Sequence, residues 1–136
     1  MKRKYFLVVL FLILAIFLSG CGIVTDEEKV RDVIDGYFLA ISAQDWDEAK
    51  SYCKYGSDIY YETCLFEGYI DSLYPSVVII NCLMDIFDIV IAENYASAYI
   101  DGDLIIIKDG QSMIADSWGY LYLQKISDNW KLCDWK

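Results

Sequence analysis

The chain has 136 residues and no histidine, so a Ser-His-Asp triad, a His-ligated metal and imidazole proton transfer are excluded together. What remains for chemistry is cysteine, carboxylate and phenol: 5 Cys, 21 Asp and Glu, and 12 Tyr. No C-x-x-C pair occurs, which speaks against a zinc ribbon or a thioredoxin-like redox pair. Asp101-Gly102-Asp103 sets two carboxylates two residues apart, but calcium takes six to eight oxygens and no second cluster adjoins, so a bulge or turn is expected there. Asp85 and Asp88 read as solvated groups at a strand start. The expectation is no metal site and no cofactor. The tyrosines, several of them between residues 55 and 74, offer apolar area with a polar tip, the chemistry of a binding surface.

The most specific signal is at the start. Lys2, Arg3 and Lys4 precede a fourteen-residue apolar run from Tyr5 to Leu18, the n-region and h-region of a secretory leader. The run is shorter than the about 20 apolar residues a spanning helix needs. Leu18-Ser19-Gly20-Cys21 resembles the lipobox of bacterial lipoproteins, in which the cysteine sulfur receives a diacylglyceryl group and becomes the new N-terminus. The resemblance implies lipidation at Cys21 and a cell-membrane, extracytoplasmic location. Residues 1–20 are then a signal peptide, 21–24 a lipidated tether and 25–136 one domain. Two acyl chains at about 0.8 kcal/mol per buried methylene give a stable anchor, and the tether spans at most roughly 14 Å, holding the domain against the bilayer.

Loss of the leader moves the formal charge from −10 to −13, with eight basic residues facing 21 acidic ones. Nucleic acid, whose binding rests on neutralised phosphates, is therefore not an expected partner. The expected partners are the membrane through Cys21 and a small molecule or an envelope protein. Cys53, Cys64, Cys82 and Cys133 remain, an even number outside the cytoplasm. Pairing Cys53 with Cys64 closes a short loop and pairing Cys82 with Cys133 staples two strands; four buried free thiols are the alternative.

Thr25-Asp26-Glu27-Glu28 is a capping box, after which Val30, Val33, Ile34, Tyr37, Phe38 and Ile41 recur at helical spacing. Asp45-Trp46-Asp47-Glu48 starts a short second helix, and Ile59, Phe66, Ile70 and Leu73 permit a third before Pro75. Beyond it, β-branched and aromatic runs separated by turn residues predict strands near 76–83, 86–92, 95–107, 112–126 and 130–135. Helices first and a meander of strands afterwards imply an α+β domain with the helices on one face of a curved antiparallel sheet.

Ile41–Ala49 at a helix junction, the Tyr95–Tyr99 strand and the hairpin of Leu121–Ile126 with Asn129–Leu132 are together similar to the nuclear-transport-factor-2-like superfamily. The likeness implies a conical pocket between helices and sheet; enzymatic members, ketosteroid isomerases and polyketide cyclases, place an acid or base there beside a tyrosine. Under that implication Asp116, Trp118, Tyr120 and Tyr122, on one strand face by period two, and Tyr37 of the first helix are the pocket candidates. Asp116 would then be the catalytic carboxylate of a small isomerase or cyclase. Leu121 and Leu123 occupy the opposite strand face and could equally be the inward set. Without a credible catalytic pair, non-catalytic binding is the leading expectation. The alternatives are that small enzyme and an envelope interaction or inhibitor protein.

Overall fold

The computed structural model describes residues 23–136. Cys21 and the leader lie outside the described residues. Three helices, α1 (Asp26–Ala43), α2 (Trp46–Tyr52) and α3 (Asp58–Ser72), are followed by β1 (Val78–Ala92), β2 (Tyr95–Lys108), β3 (Gln111–Ile126) and β4 (Asn129–Trp135). The strands form one antiparallel meander in the order β1-β2-β3-β4. The helices cover one face of it, which is the expected α+β architecture.

The first helix begins where its cap dictates. Thr25 Oγ1 accepts from the Glu28 amide at 3.2 Å, and the Thr25 amide donates to Glu28 Oε2 at 2.8 Å, so two orphan donors of the first turn are satisfied. Asp26 then fixes the helix to the sheet: it accepts from Lys125 Nζ at 3.1 Å and from the Trp130 indole N–H at 3.3 Å. Those two donors hold its carboxyl below the usual range, Lys125 contributing most. Ser57 and Asp45 cap α3 and α2 in the same manner. Lys50 ties α2 to α3 through Glu67 at 3.0 Å, and the Lys54 amide ties the α2–α3 junction to the Leu132 carbonyl at 2.7 Å.

Alternation in the strands decides what is covered. Ile80, Ala98, Ile100, Leu121, Leu123 and Leu132 point to the helices and are at most 1% exposed. They meet Val30, Ile34, Phe38 and Ile41 of α1 and Ile59 and Ile70 of α3. Trp130 is buried and Trp135 packs edge-on against Phe38, as core and rim residues.

The segment expected as two strands, 76–83 and 86–92, is the single strand β1. Asp85 sits inside it opposite Asp101, its side chain on the uncovered face, where a carboxylate needs no turn. The irregularity comes later, as a register shift between Phe87 and Val90 with Asp88 at φ 45°. Asp101-Gly102-Asp103 is likewise neither bulge nor turn but continuous strand, pairing with Leu83–Asp85 on one side and Asp116–Trp118 on the other. Gly102 is required by close approach: a β-carbon there would collide with the Leu83 carbonyl and lie 2.8 Å from Met84 Cα. The tight turns at Asp109-Gly110 and Ser127-Asp128 have both central residues at positive φ, as right-twisted two-residue hairpins need.

Candidate binding cavity

Between α1, α3 and the covered face of the sheet lies a cavity of about 210 Å³, its walls mostly apolar. Tyr37, Phe38, Phe66, Met84, Leu104 and Trp135 are among the residues of its wall. The helical stripe that buries Val30 and Ile34 carries Tyr37 and Phe38 inward one turn later. On α3 the spacing Ile59, Thr63, Phe66, Ile70 brings Thr63 and Phe66 onto the facing side.

One hydrogen-bond chain gives this apolar space a polarity. The Thr63 hydroxyl donates to the Ile59 carbonyl at 2.7 Å, which commits its only proton. The Tyr37 phenol, 2.9 Å from the same oxygen, must therefore donate to Thr63. With its proton committed to Thr63, the Tyr37 oxygen is left to act as an acceptor. Burial pushes the Tyr37 phenol far above its ordinary range, only partly opposed by Thr63, so it stays protonated at any physiological pH. Burial also raises the Cys82 thiol, another lining group, which stays neutral. Ser117 adds a hydroxyl, and the exposed Glu62 is the one charged lining residue. No cation lines the cavity, so it is unsuited to an anion and suited to a neutral molecule with a donor.

The residues named from the sequence divide between two faces. Tyr37 lines the cavity. Asp116, Trp118, Tyr120 and Tyr122 do not: they lie on the opposite, uncovered face of the sheet, with Trp118 67% exposed. The inward set is that of Gly119, Leu121 and Leu123, because aliphatic side chains pack closely beneath helices while a carboxylate keeps its hydration only outside. Asp116 and Tyr37 therefore cannot act on one substrate. The aromatics outside pair with one another across strands, Phe87 with Tyr99 and Tyr99 with Tyr120, centroids 6.4 and 5.2 Å apart.

The disulfide expectation is also corrected: Cys53, Cys64, Cys82 and Cys133 are free thiols. Cys82 is on β1 and Cys133 on β4, at opposite edges of the sheet. Three strand spacings, about 14 Å, exceed the reach of about 7 Å for a bridge. Cys53 directs its sulfur to the Ala49 carbonyl at 3.5 Å and toward Thr63 at 3.9 Å, filling core space beside the Tyr37 chain. Burial raises its thiol to about 11. Among the described residues no group of His, Cys, Asp or Glu is arranged to hold a metal, and no helix is long and apolar enough to cross a membrane.

Thr63, Met84 and Ser117 are not singled out by the sequence, and Phe66 only as part of the apolar spacing of the third helix. The i, i+4, i+7 spacing from Ile59 carried the signal for Thr63 and Phe66, masked by the tyrosines around them. The Gly119-Leu121-Leu123 alternation was the signal for Ser117.

No protein-family model and no curated protein matches the chain. Its architecture is shared by solved structures. A conserved protein from Planctomyces limnophilus DSM 3776 superposes with a TM-score of 0.64 at 16% identity, over 79% of this chain and 91% of that one. A protein of unknown function from Mycobacterium tuberculosis gives 0.58 at 14% identity, over 77% and 66%. A protein of unknown function with a cystatin-like fold from Nostoc punctiforme PCC 73102 gives 0.52 at 12% identity, over 79% and 85%. At these identities the likeness establishes the cystatin-like fold and leaves function to the geometry of the site.

Proposed function

We propose that the chain is a lipid-anchored, extracytoplasmic binding domain whose cavity takes a small, neutral, largely apolar molecule bearing one hydrogen-bond donor. The observation that carries the binding half is the Tyr37–Thr63–Ile59 chain, which leaves the buried Tyr37 oxygen as an acceptor in a cavity whose walls are mostly apolar. At about 210 Å³ the space lies below the about 300–1,000 Å³ of drug-sized sites, so the ligand is compact. The anchoring half rests on Leu18-Ser19-Gly20-Cys21 behind its apolar run.

The two halves fit together spatially. The tether would join the domain at Thr25, next to Asp26, whose carboxylate accepts from Lys125. Tyr37 and Ile41 lie 11 and 15 residues along α1 from Asp26, roughly 16–22 Å away at 1.5 Å per residue. The cavity would sit one helix length from the bilayer surface, within reach of a ligand arriving from the extracytoplasmic space.

No lining group is poised for proton transfer: the phenol and thiol are held neutral, and Glu62 is in solvent. The reading is therefore binding rather than catalysis. It is tested in two arms. Metabolic labelling with an alkynyl palmitate should mark the wild-type chain and leave Cys21→Ser unlabelled; an unlabelled wild type would contradict the anchor. Native mass spectrometry of the purified chain should retain a compact ligand that Met84→Trp, which fills the cavity, expels; the same adduct on both proteins would contradict the site.

A further inference from the structure

The sheet has two edges, and they are treated differently. Along β1 the outer edge is engaged by α1: Gln44 Nε2 donates to the Val78 carbonyl at 2.9 Å, Ser42 Oγ accepts from the Cys82 amide at 2.9 Å, and Arg31 reaches the Ile86 carbonyl at 3.4 Å. The register shift at Asp88 finishes the job by bending the strand. β4, by contrast, pairs with β3 only from Leu121 to Ile126, and the last exchange is between Tyr120 and Lys136, whose amides and carbonyls bond both ways at 2.6 and 2.9 Å. Residues 111–118 of β3 pair with β2 on one side and with no other described strand on the other.

The exchange also tells which backbone groups of residues 112–118 face the side on which no described strand pairs with them. Tyr120 presents its N–H and C=O toward β4; with a period of two and no register shift against β2, so do Trp118, Asp116, Ile114 and Ser112. This row is exposed, and it lacks the proline, lysine, bulge or covering helix that usually blunts an edge. The side chains of the same residues lie on the uncovered face. There Asp116 stands opposite Asp103, next along the strand from the Asp101–Asp85 pair, while Ile114 and Trp118 are 63% and 67% exposed.

We infer that the Ser112–Trp118 edge of β3 binds an extended cationic peptide segment of another protein, which adds a fifth strand beside β3. Backbone pairing would supply the register and alternate side chains the selectivity: a Lys or Arg opposite Asp116, and apolar residues opposite Ile114 and Trp118. A second copy of this chain is the disfavoured occupant. Antiparallel self-pairing would bring the two Asp116 carboxylates and their Asp103 neighbours together, on domains with 21 acidic and eight basic residues after the leader. Occupancy of the edge is independent of the cavity, so either reading can fail alone.

The test uses the full chain in detergent, two synthetic peptides, and hydrogen exchange read at residue resolution. The first peptide is acetylated Thr-Val-Thr-Lys-Thr-Val-Thr amide, and the second replaces its Lys with Glu. The Lys peptide at about nine times its Kd should slow exchange of the Ile114 and Asp116 amides about tenfold, leaving Met113 and Ala115, already bonded to β2, unchanged. Ile114→Pro removes an outward N–H at a position an edge strand tolerates and should abolish binding. Asp116→Asn should remove the preference for Lys over Glu while leaving the fold intact. Three results would overturn the proposal: no slowing at 1 mM peptide (a concentration of order the weakest useful affinity), equal binding by Ile114→Pro, or a concentration-dependent dimer that Ile114→Pro dissociates.

Discussion

Consecutive residues of one strand, Tyr120 and Leu121, meet opposite fates. Leu121 and Leu123 are at most 1% exposed beneath the helices, while Tyr120 and Tyr122, one residue away, are 45% and 39% exposed on the other face. Both faces are rich in apolar side chains. The covered face packs Ile, Leu and Ala side chains with Trp130 around a small cavity, whereas the uncovered one mixes aromatic residues with exposed aliphatic ones such as Ile79, Leu83 and Ile114, is crossed by four carboxylates, and carries cross-strand ring contacts. Apolar content therefore does not decide which face buries. Shape beneath a helix layer and the hydration of aspartate do.

The comparison is broken most severely from the covered side. Leu121→Ala should lower stability in urea by about 2–5 kcal/mol, whereas Tyr120→Ala next to it should cost under about 1 kcal/mol. Equal losses would mean that the uncovered face is a second core. Gly102→Ala drives a methyl against the Leu83 backbone and should cost about 1–3 kcal/mol through strand displacement, measured as a fall in denaturation midpoint at constant slope.

A smaller effect is expected where the helix layer is fixed to the sheet. Thr25→Ala, which removes half the capping box, should cost about 1 kcal/mol. Asp26 adds a pH dependence: its folded carboxyl is lowered by Lys125 and Trp130, so its contribution is present above the unfolded value of about 4 and lost as pH falls through the lower folded value. Asp26→Asn should flatten the stability profile below about pH 4 and leave the neutral slope alone. The smallest change runs the other way. Asp103→Asn relieves a like-charge pair with Asp116 and should raise stability by about 0.2–1 kcal/mol, most at low salt.

The sequence was legible where a local rule has one answer. Thr25–Glu28 can start a helix in one way, and three two-residue turns separate the strands because their residues accept positive φ or a tight reversal. The split of β1 was misread because Asp85 resembles a turn residue until an uncovered face is available to solvate it. The candidate site was half legible for the same reason. Period two groups Asp116, Trp118, Tyr120 and Tyr122 correctly but carries no sign, so only the helix layer, a long-range partner, tells inward from outward. Tyr37 was accessible because a helical stripe has one apolar side. Thr63 was not, because its hydroxyl becomes informative only beside Tyr37, 26 residues away. The cysteines obeyed no local rule at all, and an even count could not place Cys82 and Cys133 at opposite sheet edges.

The most direct measurement of the central claim is a titration of the protein with 2-naphthol, compact, neutral and a hydroxyl donor, followed by quenching of tryptophan fluorescence. The account predicts one site in the wild type, several-fold weaker binding in Tyr37→Phe, none in Met84→Trp, and none of naphthalene-2-sulfonate to any of them. Undiminished binding to Met84→Trp, with loss of binding in Trp118→Ala, would place the ligand on the uncovered face and contradict it.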